Sequence, residues 1–168
     1  MIIKFFDLKK NLKNNVNFFL LYGANSGLIE ETINNILKPS LSKNIYSYDE
    51  NEILSNVDEF KEGILTKSFF EKDKLVIISR ASDKILNIIE EIVDKNIEDL
   101  KIIIKTGILE KKSKLRKFFE GDKNLIIVPF YEDNYQSLAF IAQNFFKENK
   151  IGISNQNINY IVERARGN

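Results

Sequence analysis

The chain has 168 residues, 43% of them hydrophobic, which suits one domain of ordinary size or one domain with a small appendage. Its 25 basic and 24 acidic side chains leave a formal net charge of +1, so any nucleic-acid contact must be a local patch on a near-neutral surface. Cysteine and histidine are absent, which excludes disulfides, thiol nucleophiles, the usual zinc sites and the Ser-His-Asp triad; a carboxylate-based enzyme stays open, but binding is favoured, with no catalytic or metal-ligating residue expected.

The start, "MIIKFFDLKKNLKNN", lacks a long apolar core followed by a small-residue cleavage site. No run approaches the roughly 18 apolar residues that cross a bilayer. A cytoplasmic protein without a membrane partner is expected. "NFFLLY" (Asn17 to Tyr22) reads as a buried strand, followed by "GANSG" and a helix, "LIEETINNILK", on which Leu28, Ile29, Ile33 and Ile36 share a face. "NIYSYD" is a shorter strand. One helix starting near Glu50 then aligns Leu54, Val57, Phe60 and Ile64. "LVIIS" (Leu75 to Ser79) is the next strand and "DKILNIIEEIVDK" an amphipathic helix. "KIIIK" and "NLIIVPF" are two further strands, separated by the basic helix "EKKSKLRKFFE". Strands this continuously apolar are buried on both faces, so the order implies an α/β fold with a mainly parallel sheet and helices on both sides.

After Pro129 the pattern becomes helical. "NYQSLAFIAQNFFKENK" places Leu138, Ile141, Ala142 and Phe145 on one side, and Ser154 is positioned to cap a further helix, "NQNINYIVERAR". Two helices bury little by themselves. The expected division is residues 1–131 as the α/β domain and 132–168 as the beginning of a helical domain, cut short or completed by other chains.

The strand-"YGANSG"-helix unit has the outline of a phosphate-binding loop, in which backbone N–H groups surround phosphates and Lys-Ser/Thr follows the last glycine. Gly23, Asn25, Ser26 and Gly27 occupy that place, but Leu28 and Ile29 follow Gly27, and Glu30 and Glu31 then put two carboxylates where phosphate would sit. The strand ends "LVIISR" and "KIIIKT" also lack the Asp-Glu pair that would hold Mg²⁺. A structural turn is favoured over a nucleotide site, and no cofactor is expected.

"FFLLYGANSGLIEE", "SFFEKDKLVIISRA", "KKSKLRKFF" before "LIIVPF", and "INYIVERARGN" stand in an order and spacing that resembles the delta subunit of the bacterial DNA polymerase III clamp loader. The resemblance covers essentially the whole chain. It implies an AAA+-like α/β domain with a degenerate, non-binding nucleotide site, then a helical lid domain, then a collar domain that joins the loader subunits. The sequence ends early in what would be the lid, so the expectation is either a fragment of a longer protein or a chain that does not assemble through a collar.

The resemblance also gives a reading of "KSFFEKDK", where two adjacent phenylalanines precede a strand. Ser68, Phe69 and Phe70 match the short Ser-apolar-Phe element that family members insert as a plug into a hydrophobic pocket of the ring-shaped sliding clamp, helping to open the ring. Clamp-binding motifs often begin with Gln three residues before the Ser; Leu65 stands there. Read without the family, the pair is equally a packing device. In the basic run, Lys111, Lys114 and Lys117 share an approximate helical face that could meet the phosphates of primer-template DNA, with a solvated face as the plainer alternative. Arg164 and Arg166 are possible intersubunit contacts.

Three functions follow from these readings. In the first, the chain is a clamp-loader subunit of the DNA polymerase III holoenzyme that binds and opens the sliding clamp while other loader subunits hydrolyse ATP. In the second, it is an ATPase with an atypical loop. In the third, it is a non-catalytic adaptor in another complex.

Overall fold

The computed structural model describes residues 1–12, 16–42, 44–65 and 73–165. The chain divides into two compact units, Met1–Tyr131 and Glu132–Asn168. In the first, strands β1 (Phe18–Gly23), β2 (Ile45–Asp49), β3 (Lys74–Ser79), β4 (Leu100–Thr106) and β5 (Leu125–Phe130) form one sheet in the order β2-β3-β4-β1-β5. Every pairing is parallel. Alternation along β1 explains why its run is apolar throughout. Phe18, Leu20 and Tyr22 enter one core, and Phe19 and Leu21 the other.

The first core is roofed by α4 (Glu50–Ser55), α5 (Val57–Leu65), α6 (Leu86–Asp94) and α7 (Lys114–Gly121), which contribute Ile53, Phe60, Ile89 and Phe119 among others. The second is roofed by α1 (Leu8–Asn11), α2 (Ser26–Thr32), the π-helical turn Ile33–Leu37 and α3 (Lys38–Leu41). This is the parallel α/β architecture with helices on both faces that the strand pattern implies. At the β5 edge, Ile3 donates to the Ile127 carbonyl at 3.0 Å and Ile127 donates to Met1 at 3.0 Å. The N–H of Ile127 points away from β1, and by alternation so does the nitrogen of Pro129, two residues on. The proline therefore removes no bond of the β1–β5 ladder.

Several helices differ from the sequence reading. The helix after β1 does not end at Lys38; it runs on through Pro39 to Leu41. Its buried row is Ile29, Ile33, Leu37 and Leu41, with Ile36 only half-buried. The π turn, marked by Lys38 N–H bonding to the Ile33 carbonyl, widens the helix locally and keeps residues four apart on one face. The single helix expected from Glu50 is two, broken at Asn56. The Asn56 side chain accepts from Glu59 N–H at 3.3 Å and starts a new helix, as Asn does when it competes with the backbone.

In the second unit, α8 (Tyr135–Glu148) and α9 (Asn155–Ala165) contact each other. Asn134 and Ser137 cap α8 reciprocally, each accepting the other's N–H at 2.9 Å, and Ser154 caps α9 through Asn157 N–H at 3.2 Å. The face of α8 turns out rotated from the expected one. Leu138, Ala139, Ala142 and Phe146 are the half-covered row, while Ile141 and Phe145 are exposed.

Gly23 closes β1 in a conformation open only to glycine, with φ of 144°. A Cβ there would lie 1.8 Å from the Phe130 carbonyl oxygen, which is backbone and cannot swing aside. Gly23→Ala is expected to cost about 3 kcal/mol or more in urea unfolding, since β5 must shift to admit it. A loss under about 1 kcal/mol would contradict this close approach.

Candidate functional site

The turn after β1 is short, with only Ala24 and Asn25 between strand and helix. Asn25 Oδ1 accepts the N–H of Leu28 at 3.0 Å and so caps α2. Gly23 N–H donates to Gly107 at 3.0 Å, Asn25 N–H to Phe130 at 3.3 Å and Ser26 N–H to Ala24 at 3.0 Å. Four of the N–H groups between Gly23 and Leu28 are thus bonded within the chain. Glu30 and Glu31 are not at the helix start as the sequence suggested. They are the fifth and sixth residues of α2, past the turn where the dipole acts, and Glu30 pairs with Lys105 of β4.

The same edge of the sheet, where all five strands end, is stitched by carboxylates serving as caps. Asp49 Oδ1 accepts from Asn51 N–H at 3.0 Å, and Glu52 accepts from Asp49 N–H at 2.8 Å, a reciprocal cap on α4. The buried second oxygen of Asp49 lies 2.6 Å from the Arg80 guanidinium, a charge contact outside hydrogen-bonding geometry. Glu50, only 6% exposed, accepts from the Ser82 N–H at 2.6 Å and from its hydroxyl at 2.8 Å. Asp83 accepts from the Ser113 hydroxyl at 2.6 Å and from the N–H groups of Lys114 and Leu115 at 3.0 Å, while Ser113 accepts from Arg116 N–H at 3.2 Å. Among the described residues, no group of three acidic side chains is placed to hold a metal ion.

The basic run is split by this cap. Lys111 lies in the turn before α7 rather than on it, so the expected three-lysine helical face reduces to Lys114 and Lys117, both exposed. The reason is Ser113, which starts the helix by capping it. Arg116 is committed elsewhere. It bonds Glu120 at 2.7 Å and the Leu109 carbonyl at 3.1 Å, and its guanidinium lies 5.1 Å from the centre of the Tyr22 ring. Burial raises the pKa of the Tyr22 hydroxyl above its usual range.

Ser68, Phe69 and Phe70 lie outside the described residues, as does Arg166. The described residues before and after the pair belong to α5 and to the approach to β3. Phe60 and Ile64 of α5 are buried, with Phe60 edge-on to Tyr48 at 5.0 Å, and Lys61 pairs with Glu91 of α6. Leu65 is half-buried against the first core, a packing position in this chain. On the far side, the Asp73 carbonyl accepts from Ser42 at 3.0 Å and Asn44 at 3.1 Å.

A family profile described as the DNA polymerase III delta subunit matches residues 19–128, most of the first unit. The chain belongs to that family. Among solved structures, the delta-family chain is similar to the Bacillus subtilis DNA clamp loader delta protein, with a TM-score of 0.71 and 19% identity over 94% of this chain and 51% of that one. It is also similar to Thermotoga maritima RuvB, the Holliday junction branch migration motor, with a TM-score of 0.53 and 17% identity over 96% of this chain and 56% of that one. AMPPCP-bound DnaA from Aquifex aeolicus gives 0.51 and 18% over 94% and 53%. At such identities the likeness shows the fold, which is AAA+-like. The chain spans about half the length of these solved relatives. No curated protein matches it by sequence.

Against the loop outline read from the sequence, the delta-family chain puts Gly23 at the end of β1 and Ser26 and Gly27 at the start of α2, with Asn25 between them as the cap. Sequence reasoning missed the Asp83–Ser113 and Glu50–Ser82 pairs. Ser113 before a helix was a readable cap signal, whereas its partner Asp83 is 30 residues away and gave none. The Ser113 hydroxyl and the two N–H groups hold the Asp83 carboxyl below its ordinary value of 3.8. A depressed carboxylate adds stability above its unfolded pKa and loses it as the pH falls through the lower folded one. Asp83→Ala is therefore expected to destabilise the chain by about 1 kcal/mol at neutral pH. The gap between wild type and variant in urea unfolding should persist at pH 5 and close below the ordinary carboxylate range. A gap independent of pH would contradict the cap.

Proposed function

We propose that this chain is a clamp-loader subunit that engages the ring-shaped sliding clamp through Ser68, Phe69 and Phe70 and helps open the ring, with ATP hydrolysed by other loader subunits. The observation that supports the non-catalytic part is the β1–α2 turn, where the N–H groups of Gly23, Asn25, Ser26 and Leu28 are bonded within the chain and no lysine follows Gly27. A phosphate arriving there would have to displace the Asn25 cap without a cation to replace it. Membership of the delta family supports the clamp-loader role.

The clamp contact rests on the match of Ser68, Phe69 and Phe70 to the family's plug, with α5 and β3 as fixed supports on either side. An aromatic pair carried between anchored elements has the anatomy of an interface hot spot. To open a ring, the plug must bind the open form better than the closed one, since equal affinity shifts nothing. Glu132–Asn168 belongs to the helical lid. Exposed Lys114 and Lys117 make a local patch for primer-template DNA inside the assembled loader, and the setting is the cytoplasm. No helix among the described residues is long and apolar enough to cross a membrane.

Calorimetric titration of this chain with its cognate sliding clamp tests the reading. Wild type is expected to bind, and Phe69→Ala or Phe70→Ala to weaken binding by about 2–4 kcal/mol with the melting temperature little changed. Wild type without affinity would overturn the reading, and a large loss of melting temperature in the variants would assign the pair to the core. For the lysines, Lys114→Ala with Lys117→Ala in the assembled loader is expected to lower the salt slope of DNA binding by about one for each phosphate no longer neutralised. An unchanged slope would leave them as a solvated face.

A further inference from the structure

The two edges of the sheet are finished differently. At β5, Met1 and Ile3 take the outward backbone groups of Ile127. At β2, Asn44 accepts the Leu75 N–H at 2.9 Å, so Asn44, Tyr46 and Tyr48 turn their backbone groups toward β3. Ile45 and Ser47 alternate with them and turn theirs outward, and Asp49, of the same set, has its N–H taken by Glu52 at 2.8 Å. The outward groups of Ile45 and Ser47 meet no partner among the described residues, and no described strand pairs there. Beside this open edge runs a groove of about 430 Å³ whose walls include Ser47, Tyr48, Glu52, Ile53, Glu59 and Phe60. Its floor is apolar, with Ile53 and Phe60 buried and the Tyr48 ring edge-on to Phe60 at 5.0 Å. Glu52 and Glu59 bring two carboxylates to the walls, and neither is in an ion pair among the described residues.

We propose that the β2 edge is a docking site for an extended segment of a partner protein that carries arginine or lysine at alternate positions. Added as a further strand, such a segment takes its backbone hydrogen bonds from Ile45 and Ser47 and sends alternate side chains to the two faces of the sheet. On the groove side, the stem of a basic side chain lies over Tyr48 and Phe60 while its charged head reaches Glu52 and Glu59. On the other face, the Ile45 side chain, 38% exposed, offers an apolar neighbour for a β-branched residue. Charge favours this occupant over a second copy of the chain. Pairing of β2 with another β2 would bring a second Glu52–Glu59 pair to the same edge, whereas a basic segment meets it with opposite charge. The inference does not rest on the clamp reading, since none of these residues belongs to that contact.

The test titrates the chain into a labelled, end-blocked peptide in which valine and arginine alternate, with binding read by fluorescence anisotropy and hydrogen exchange followed at the amides of Ile45 and Ser47. The comparison is the double variant Glu52→Gln with Glu59→Gln, because glutamine keeps the side-chain oxygens that accept from Asp49 N–H and from Asn56 and so preserves both caps. Wild type is expected to bind the peptide, to slow exchange at both amides on binding, and to bind about tenfold more tightly than the double variant at an equal melting temperature. A peptide in which valine and glutamate alternate is expected not to bind. No binding of the arginine peptide, binding that leaves both amides unprotected, or equal affinity in the double variant would overturn the proposal. Protection of the same amides in the chain alone, rising with its concentration, would give the edge to a second copy and overturn it as well.

Discussion

The close approach of β1 to β5 at Gly23 is the constraint on which the upper edge of the sheet depends. β1 sits between β4 and β5, and its last residue donates to Gly107 while the Phe130 carbonyl fills the space a side chain would need. With the strand end gripped on both sides, only Ala24 and Asn25 remain to turn the chain into α2, and the N–H of Asn25 is drawn onto Phe130. The Asn25 side chain then caps α2 by accepting the Leu28 N–H.

The rest of that edge follows the same economy of local satisfaction. Asp49, Glu50 and Asp83 each take hydrogen bonds from backbone N–H groups or from serine hydroxyls, and those bonds join the β2–α4 turn, the segment after β3 and the start of α7. In related parallel folds the ends of the strands are where ligands bind. Here the polar groups are spent on fixing helices. The outcome is an edge whose acidic side chains hold the starts of α4 and α7 and the segment after β3 in place.

How far this was legible follows from the range of each signal. The strands were readable because β-branched runs such as "KIIIK" and "LVIIS" bury both faces of a parallel sheet, which leaves continuous apolar stretches. The helix after β1 was readable in place but not in phase, because the π turn at Ile33–Leu37 moves the buried row from Ile36 to Leu37. Lys111 was misassigned to a helix because charge spacing was visible while the capping of α7 by Ser113 was given too little weight. The missing lysine after Gly27 was plain in the sequence. That Asn25 closes the turn was not, since an Asn in a loop reads equally as turn residue, cap or ligand contact.

The proposed division of labour, with ATP hydrolysed by other loader subunits, requires that the end of β1 bind no nucleotide. Thermal melting of the wild-type chain with and without millimolar ATP and Mg²⁺ tests it most directly, because a ligand bound only by the folded state must raise the melting temperature. An unchanged melting temperature is the expected result. A magnesium-dependent rise that is lost in Asn25→Ala or Ser26→Ala would contradict the claim and return the turn to the class of working phosphate sites.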